Sequence, residues 1–341
     1  MRATIWGFVL GAMVCVAFPA RAEVQLTAAG ATFPYPMYSK WFNEYHRLHP
    51  DIQINYQSIG SGGGIKQVTE GTVDFGASDG PMTDKQNAEF TAKRAAKILH
   101  FPTVLGADVP TYNLPGITAE LNFTPEALAG IFLGKITKWT DPELTKNNPG
   151  VKLPDQDLVV VHRSDGSGTT YVWVDYLSKV SPEWKSKVGL GTSVNWPVGL
   201  GSKGNEGLSG QIRQTPYSIG YVELIYAVQN KLSYGRVKNA AGKFVKADLA
   251  SVTAAAAAKS MPDDFRVSIT NPSGATAYPI SSFTWLLIPS KFDDPAKAKT
   301  VRDFLKWMLR EGQKMTTPLT YAPLPAAVVS KEEKAISLIK P

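Results

Sequence analysis

The segment Leu158-Val-Val-Val-His-Arg-Ser-Asp-Gly-Ser-Gly-Thr-Thr170 joins a β-prone run to a loop of small residues. Leu158 to His162 is rich in β-branched residues, and the apolar residues from Tyr171 onward recur at helix-like intervals. The segment therefore predicts a strand, a loop and a helix in succession, which is typical of α/β folds. Because ligands bind in such sheets where strand ends meet helix starts, we expect a site at this loop.

The chemistry of this loop favours a small oxyanion. Arg163 carries a planar fork that fits two oxygens of one anion. Glycines such as Gly168 let backbone N–H groups approach a ligand, while Ser167, Thr169 and Thr170 add short hydroxyl donors. The positive end of the predicted helix also favours negative charge.

The N-terminus has the pattern of a secretory signal peptide. Arg2 supplies a basic start, Ile5 to Phe18 is apolar, and Ala20-Arg21-Ala22 fits a small-x-small cleavage site. The sequence therefore predicts a secretory signal peptide over residues 1–22, with cleavage before Glu23 and export of the mature chain. A retained membrane anchor is the alternative, and the apolar run is short for a membrane span.

Composition narrows the class of protein. The single cysteine, Cys15, lies inside the predicted signal peptide, so the mature chain has no disulfide. Without Arg2 and Arg21, 34 of the 36 basic side chains remain against 29 acidic ones, so the formal charge is +5. That excess suits an anionic ligand, and no Lys/Arg block is long enough to bind nucleic acid. The chain length predicts two domains.

Alternating helices and strands are predicted along the rest of the chain. In the N-terminal part we predict a strand at 24–27, a helix with an apolar stripe over 37–45, a strand at 52–56, a helix over 65–71, a strand from 73 and a helix opened by the capping box Thr83–Gln86. Further on we predict helices at 125–132, 254–259 and 296–311 and strands at 218–223 and 281–288. This order indicates α/β layers.

Three other loops resemble the first in composition: Ala31-Thr-Phe33, Gly60-Ser-Gly-Gly-Gly64 and Gly76-Ala-Ser-Asp-Gly80. Ser61 is expected at a helix N-cap, where such residues are often only caps. Asp79 is different, because a carboxylate repels an oxyanion unless it accepts a hydrogen bond from it. Phosphate keeps a proton at neutral pH and sulfate does not, so an Asp79 in the site would select phosphate. The alternative for Asp79 is a carboxylate that only caps a turn.

Two other functions remain open from these residues. Gly76-Ala-Ser-Asp-Gly80 matches the G-x-S-x-G pattern of hydrolases, although Pro81 follows where a helix should start. A secreted phosphatase or hydrolase is therefore one alternative. A binder of another oxyanion, such as sulfate or molybdate, is the second, and Asp79 argues against it.

These segments together resemble the periplasmic phosphate-binding proteins of bacterial high-affinity phosphate ABC transporters, the PstS family. The resemblance rests on segments spread over most of the mature chain: Gly30–Pro34, Ile59–Gln67, Val73–Asp79, Arg163–Thr169, Trp196–Asn205 and Ile219–Glu223.

The resemblance implies a set of ligand contacts. Phosphate is expected to bind Thr32, Phe33, Ser61, Asp79, Arg163, Ser167, Gly168 and Thr169. Asp165 is expected to hold Arg163, and Asp79 to accept the proton of the ligand.

The resemblance also implies a fold and a role. It predicts a two-lobed α/β periplasmic binding protein of type II, with a hinge and a ligand cleft between the lobes. Residues 23–104 and 283–341 are expected to form the first lobe, and residues 105–282 the second. The implied role is capture of inorganic phosphate for the permease subunits of an ABC importer, by a monomer without cofactor, metal or catalysis.

Overall fold

The computed structural model describes residues 23–341. The predicted signal peptide and Cys15 lie outside the described residues. Within residues 23–341, no helix is both long and apolar enough to cross a membrane.

The described chain alternates strands and helices. The strands are β1 (Val24–Gly30), β2 (Ile52–Ser58), β3 (Phe75–Ser78), β4 (Ile98–Asn113), β5 (Asn122–Phe123), β6 (Val159–Arg163), β7 (Leu200–Ser202), β8 (Ser218–Glu223), β9 (Ser233–Tyr234), β10 (Arg236–Lys238), β11 (Phe244–Val245) and β12 (Ser281–Pro289). The helices are α1 (Tyr35–Leu48), α2 (Ser61–Glu70), α3 (Asp84–Arg94), α4 (Pro125–Phe132), α5 (Pro142–Thr145), α6 (Gly168–Val180), α7 (Pro182–Lys187), α8 (Gly204–Gln214), α9 (Leu224–Gln229), α10 (Leu249–Ala257), α11 (Pro295–Arg310) and α12 (Ala326–Ala335).

The long strand β4 connects two lobes, so the predicted two-lobed α/β class is confirmed. The main sheet has the order β2-β1-β3-β12-β4-β8-β6-β7, and β9 also pairs with β4. The first part of β4 pairs antiparallel with β12 as far as Ala107, and from Asp108 it pairs antiparallel with β8. The strands β1, β2, β3 and β12 therefore belong to a first lobe, and β6, β7 and β8 to a second.

Each lobe contains parallel pairs of strands, separated from β4 by β12 in the first lobe and by no further strand in the second. In the first lobe β1 pairs parallel with both β2 and β3. In the second lobe β6 pairs parallel with both β7 and β8. As a result the carboxyl ends of β1 and β3, and separately that of β6, lie next to helix N-termini.

The core of the first lobe joins the two ends of the chain. The predicted stripe on α1 is confirmed, and all five of its members are buried: Met37, Tyr38, Trp41, Phe42 and Tyr45. The ring of Phe42 packs on Phe304 of α11 with centroids 5.3 Å apart. Segments from near both ends of the described chain therefore pack in one core.

Two predicted helices have different bounds in the structure. The helix expected from residue 65 begins four residues earlier, at Ser61, so the three glycines at 62–64 are part of the helix. Gly60, with φ 89°, occupies the N-cap position, so the prediction of Ser61 as the N-cap is wrong. The alanine-rich helix expected at 254–259 starts at Leu249, where Asp248 and Ser251 form a capping box.

Candidate ligand-binding site

The four loops singled out in the sequence converge between the lobes. The first lobe contributes the loop after β1, the N-terminus of α2 and the residue after β3, while the second contributes the β6–α6 loop. Of the eight predicted ligand residues, Gly168 is buried and the other seven are at most 2% exposed: Thr32, Phe33, Ser61, Asp79, Arg163, Ser167 and Thr169.

Glycine at position 168 brings the two lobes together. A Cβ atom on Gly168 would lie 2.3 Å from both Asp79 Oδ2 and Ser61 Oγ, so no larger residue fits without a shift. Next to it, the Gly62 N–H donates to the Gly166 carbonyl at 2.8 Å. The N-termini of α2 and α6 therefore meet at the site, and both present the positive ends of helix dipoles.

Several buried backbone N–H groups at this point have no acceptor in residues 23–341. These are the N–H groups of Phe33, Ser61, Gly168 and Thr169. Those on α2 and α6 belong to first helical turns, which lack intrahelical acceptors. Unpaired buried donors are rare in folded proteins because each costs the desolvation of a polar group. Their convergence indicates a site for an anion.

The guanidinium of Arg163 is held by Asp165. Nε donates to Oδ1 at 2.7 Å and Nη2 to Oδ2 at 2.5 Å, while Nη1 donates to Thr169 Oγ1 at 3.3 Å. Burial alone would lower the pKa of Arg163, but hydrogen bonds and charge from Asp165 raise it above its ordinary value. Burial likewise opposes ionisation of Asp165, yet Arg163 holds its pKa below the usual value. Both members of the pair therefore stay charged.

Asp79 is a carboxylate that forms no direct ion pair with any residue of the described range 23–341. Its Oδ1 accepts the hydroxyl of Thr284 at 2.8 Å. Its Oδ2 lies 3.5 Å from Ser61 Oγ and beside Gly168. Burial raises the pKa of Asp79 to about 7, although Thr284, Arg163 and Ser61 act in the opposite direction. One oxygen is thus fixed while the other is available at the junction of the lobes.

Hydroxyls and carbonyls around the site have defined roles. Ser167 is the N-cap of α6, since its Oγ accepts the Thr170 N–H at 2.9 Å, and its own proton remains free to donate. Buried tyrosines bind the loop after β1: Tyr226 donates to the Thr32 carbonyl and Tyr321 to the Phe33 carbonyl, each at 2.6 Å. With these carbonyls occupied, the loop presents donors to the site.

Two polar residues outside the predicted set, Asn205 and Thr284, contact the predicted site residues. Asn205 donates through Nδ2 to Thr32 Oγ1 at 2.8 Å and to Thr169 Oγ1 at 3.0 Å. Thr284 holds Asp79 from β12. Asn205 is the last residue of Trp196–Asn205, one of the segments on which the family resemblance rests. That position is the one sequence feature that points to it as a site residue. Nothing local marks Thr284, because it lies inside an apolar strand.

The G-x-S-x-G segment lacks the geometry of a hydrolase. Ser78 Oγ donates to the Gly80 carbonyl at 2.5 Å, which closes a turn. No histidine within residues 23–341 contacts this hydroxyl. His100 is buried, accepts the Met82 N–H at 3.1 Å, and has its pKa lowered to about 4 by burial.

Comparisons with known proteins agree with this architecture. Residues 18–311 match a family model described as a PBP superfamily domain. The chain is 47% identical over 309 residues to the phosphate-binding protein PstS of Pasteurella multocida, covering 90% of this chain and 88% of that protein. It is 45% identical over 308 residues to PstS of Haemophilus influenzae, with 89% and 90% covered. The chain belongs to the PstS family.

Solved structures place this PstS-family chain in the same fold. A high-affinity periplasmic phosphate-binding protein (PfluDING) bound with phosphate superposes with a TM-score of 0.76 at 22% identity, covering 91% of this chain and 93% of that one. A phosphate-binding protein from Stenotrophomonas maltophilia gives a TM-score of 0.70 at 18% identity, with 92% and 94% covered. At these identities the likeness concerns the fold.

Proposed function

We propose that this protein captures inorganic phosphate between its two lobes and delivers it to the membrane subunits of an ABC importer. The observation that carries the proposal is the convergence of unpaired buried N–H groups, hydroxyls and the guanidinium of Arg163, itself held by Asp165, near the carboxylate of Asp79. Relatives named phosphate-binding protein PstS support it across most of the chain.

Seven of the eight predicted residues are proposed to donate hydrogen bonds to phosphate, and the eighth, Asp79, to accept one. The N–H groups of Phe33, Ser61, Gly168 and Thr169, the hydroxyls of Thr32, Ser61, Ser167 and Thr169, and the fork of Arg163 donate to phosphate oxygens. Asp165 keeps the fork of Arg163 oriented. About ten hydrogen bonds to a charged ligand, each contributing about 1.5–3 kcal/mol, exceed the ~8 kcal/mol of micromolar binding. Closure and desolvation consume the surplus.

Asp79 is proposed to select the anion. When ionised, it accepts a hydrogen bond only from a ligand oxygen that carries a proton. Sulfate has no such proton and would place a lone pair against a buried carboxylate. Sites that require a ligand O–H reject analogues without one by about four to five orders of magnitude.

Closure is proposed to couple binding to transport. We propose that residues 23–104 and 283–341 form the first lobe and 105–282 the second, with a hinge at the two chain crossings. The change of strand partner on β4 between Ala107 and Asp108 supports this division. A monomer that closes on phosphate would present a ligand-dependent surface to the importer in the periplasm. The predicted signal peptide is consistent with that location.

Isothermal titration of phosphate-stripped protein with phosphate and with sulfate tests the proposal. We expect a phosphate dissociation constant at or below the micromolar range and far weaker sulfate binding. Equal affinity for the two anions would exclude the role of Asp79, and absence of phosphate binding would exclude the function. Turnover of a chromogenic phosphate ester that disappears in Ser78→Ala would support a hydrolase instead.

A further inference from the structure

Asn205 lies in the first turn of α8 and is completely buried. Both protons of its side-chain amide are used: one donates to Thr32 Oγ1 at 2.8 Å and the other to Thr169 Oγ1 at 3.0 Å. The backbone N–H of Glu223 donates to Oδ1 at 3.1 Å. Because a donor must face Oδ1, this bond sets which end of the amide points at the two threonines.

The bonds to Asn205 decide the direction in which each threonine hydroxyl can act. A hydroxyl has one donor and two acceptor positions. Thr32 Oγ1 accepts from the side chain of Asn205 and, at 3.3 Å, from its backbone N–H. Thr169 Oγ1 accepts from Asn205 and, at 3.3 Å, from Arg163 Nη1. With both acceptor positions occupied, each hydroxyl contributes only its proton.

Asn205 also links the lobes. Thr32 follows β1 in the first lobe, whereas Asn205 and Thr169 belong to the second. The bonds from Asn205 to Thr32 therefore exist only when the lobes are together, and they are made beside the groups that would hold the ligand.

We propose that Asn205 is a positioning residue that fixes Thr32 and Thr169 as hydrogen-bond donors and holds the lobes closed through Thr32. The proposal rests on the proposed function, since it assigns the two threonine protons to phosphate oxygens. It explains how hydroxyls, which can both donate and accept, serve a site where acceptors are unfavourable. The carboxylate of Asp79 then remains the acceptor for a proton of the ligand.

Two substitutions separate this role from simple packing. In Asn205→Ala both hydroxyls regain acceptor capacity and the link to Thr32 is lost, so we expect the phosphate dissociation constant to rise about tenfold. In Asn205→Asp the shape is kept but the donors become acceptors. The threonine protons then turn to the new carboxylate, whose charge also repels the anion, and we expect a rise of at least about 100-fold. Stopped-flow measurement should show most of the change in phosphate release.

Asn239 provides the matched control. It is a buried asparagine of the second lobe, 4% exposed, whose Nδ2 donates to the carbonyls of Gly274, Ala275 and Ala277. Asn239→Ala should lower the unfolding midpoint without changing phosphate affinity. Asn205→Ser, which keeps one small donor, is the second variant if Asn205→Ala does not fold.

A double-mutant cycle with Thr32→Val is the decisive measurement. If Asn205 acts through this hydroxyl, Asn205→Ala should weaken phosphate binding much less in the Thr32→Val background than in the wild type. Additive effects, or wild-type affinity in both Asn205 variants, would overturn the proposal while leaving phosphate binding intact. Failure of the wild-type protein to bind phosphate would overturn the proposed function and this inference together.

Discussion

Two aspartates at the site, one in each lobe, show how differently the fold treats the same side chain. Asp79, at the end of β3, is 1% exposed and has a pKa raised to about 7, chiefly by burial. Asp165, in the β6–α6 loop, is also largely buried, with 11% of its side chain exposed, but its pKa is lowered by the bidentate contact with Arg163. The partner, more than the depth of burial, therefore decides the charge of a carboxylate.

The difference assigns separate tasks to the two lobes. The second lobe carries a permanent ion pair whose cation has one N–H left on each of Nη1 and Nη2. The first lobe carries a carboxylate with one strong hydroxyl donor, Thr284, on Oδ1 and a long 3.5 Å hydrogen bond from Ser61 Oγ on Oδ2, which lies at the junction. In the proposed function, the one cation that attracts the anion therefore belongs to the second lobe, and the carboxylate that requires a proton on the anion belongs to the first.

The largest change in phosphate affinity is expected from a methyl group at position 168, which would keep the two lobes, and so the regions around Asp79 and Asp165, apart. In Gly168→Ala the new Cβ would lie 2.3 Å from Asp79 Oδ2 and Ser61 Oγ, so the lobes cannot close fully. We expect the phosphate dissociation constant to rise at least about 100-fold by titration calorimetry. Gly207→Ala, whose Cβ meets nothing within 4 Å, is the control and should leave affinity unchanged. Unaltered affinity in Gly168→Ala would contradict the closed geometry.

Exchanging each aspartate for asparagine should affect the affinities for phosphate and sulfate in different ways. In Asp79→Asn the amide can donate to sulfate and no longer requires a ligand proton. We expect sulfate to bind about tenfold more tightly and phosphate about tenfold less tightly, since one charge-assisted hydrogen bond is changed. In Asp165→Asn the bidentate contact that orients Arg163 is lost instead, so the affinities for phosphate and sulfate should both decrease. A phosphate–sulfate gap that stays constant in Asp79→Asn would refute its role.

The smallest effect is expected in the pH dependence of stability without ligand. Because folding raises the pKa of Asp79 from 3.8 to about 7, its stabilising contribution is complete below 3.8 and is lost as pH rises through about 7. The free energy of unfolding of the wild type, relative to Asp79→Asn, should therefore fall over that window by at most about 1.4 kcal/mol per pH unit.

The control for this titration has the opposite sign. Folding lowers the pKa of Asp165, so its contribution is present above the ordinary value of 3.8 and is lost as pH falls below it. Urea unfolding of the wild type, Asp79→Asn and Asp165→Asn in phosphate-free buffers measures both. A wild-type curve that runs parallel to that of Asp79→Asn from pH 4 to 7 would contradict the raised pKa.

Local patterns predicted most elements of the fold. The apolar stripe of α1, the capping box of α3 and the helix Pro125–Phe132 depend on residues close in sequence, and the structure confirms them. The start of α2 was missed because three consecutive glycines disfavour a helix by intrinsic propensity. Close packing overrides that preference: a Cβ on Gly64 would lie 2.5 Å from the Gly30 Cα atom.

The composition of the site was visible in sequence, but several of its contacts were not. The loops with Ser61, Asp79 and Arg163 have recognisable small-residue patterns. Asn205 and Thr284 contact them across 36 to 205 positions of sequence, and no local pattern marks such distant partners.

By itself, the sequence determined the identity of the donors, the cation and the carboxylate, and the strand–loop–helix order that places them at strand ends. These depend on residue type and short-range spacing. Only the tertiary structure decided that Asp79 is buried away from a direct cation, that Asp165 is paired, and that Asn205 orients two threonines from opposite lobes. Burial and hydrogen-bond partners arise when distant segments pack together, and they set the pKa and the donor direction of groups whose chemistry is otherwise the same.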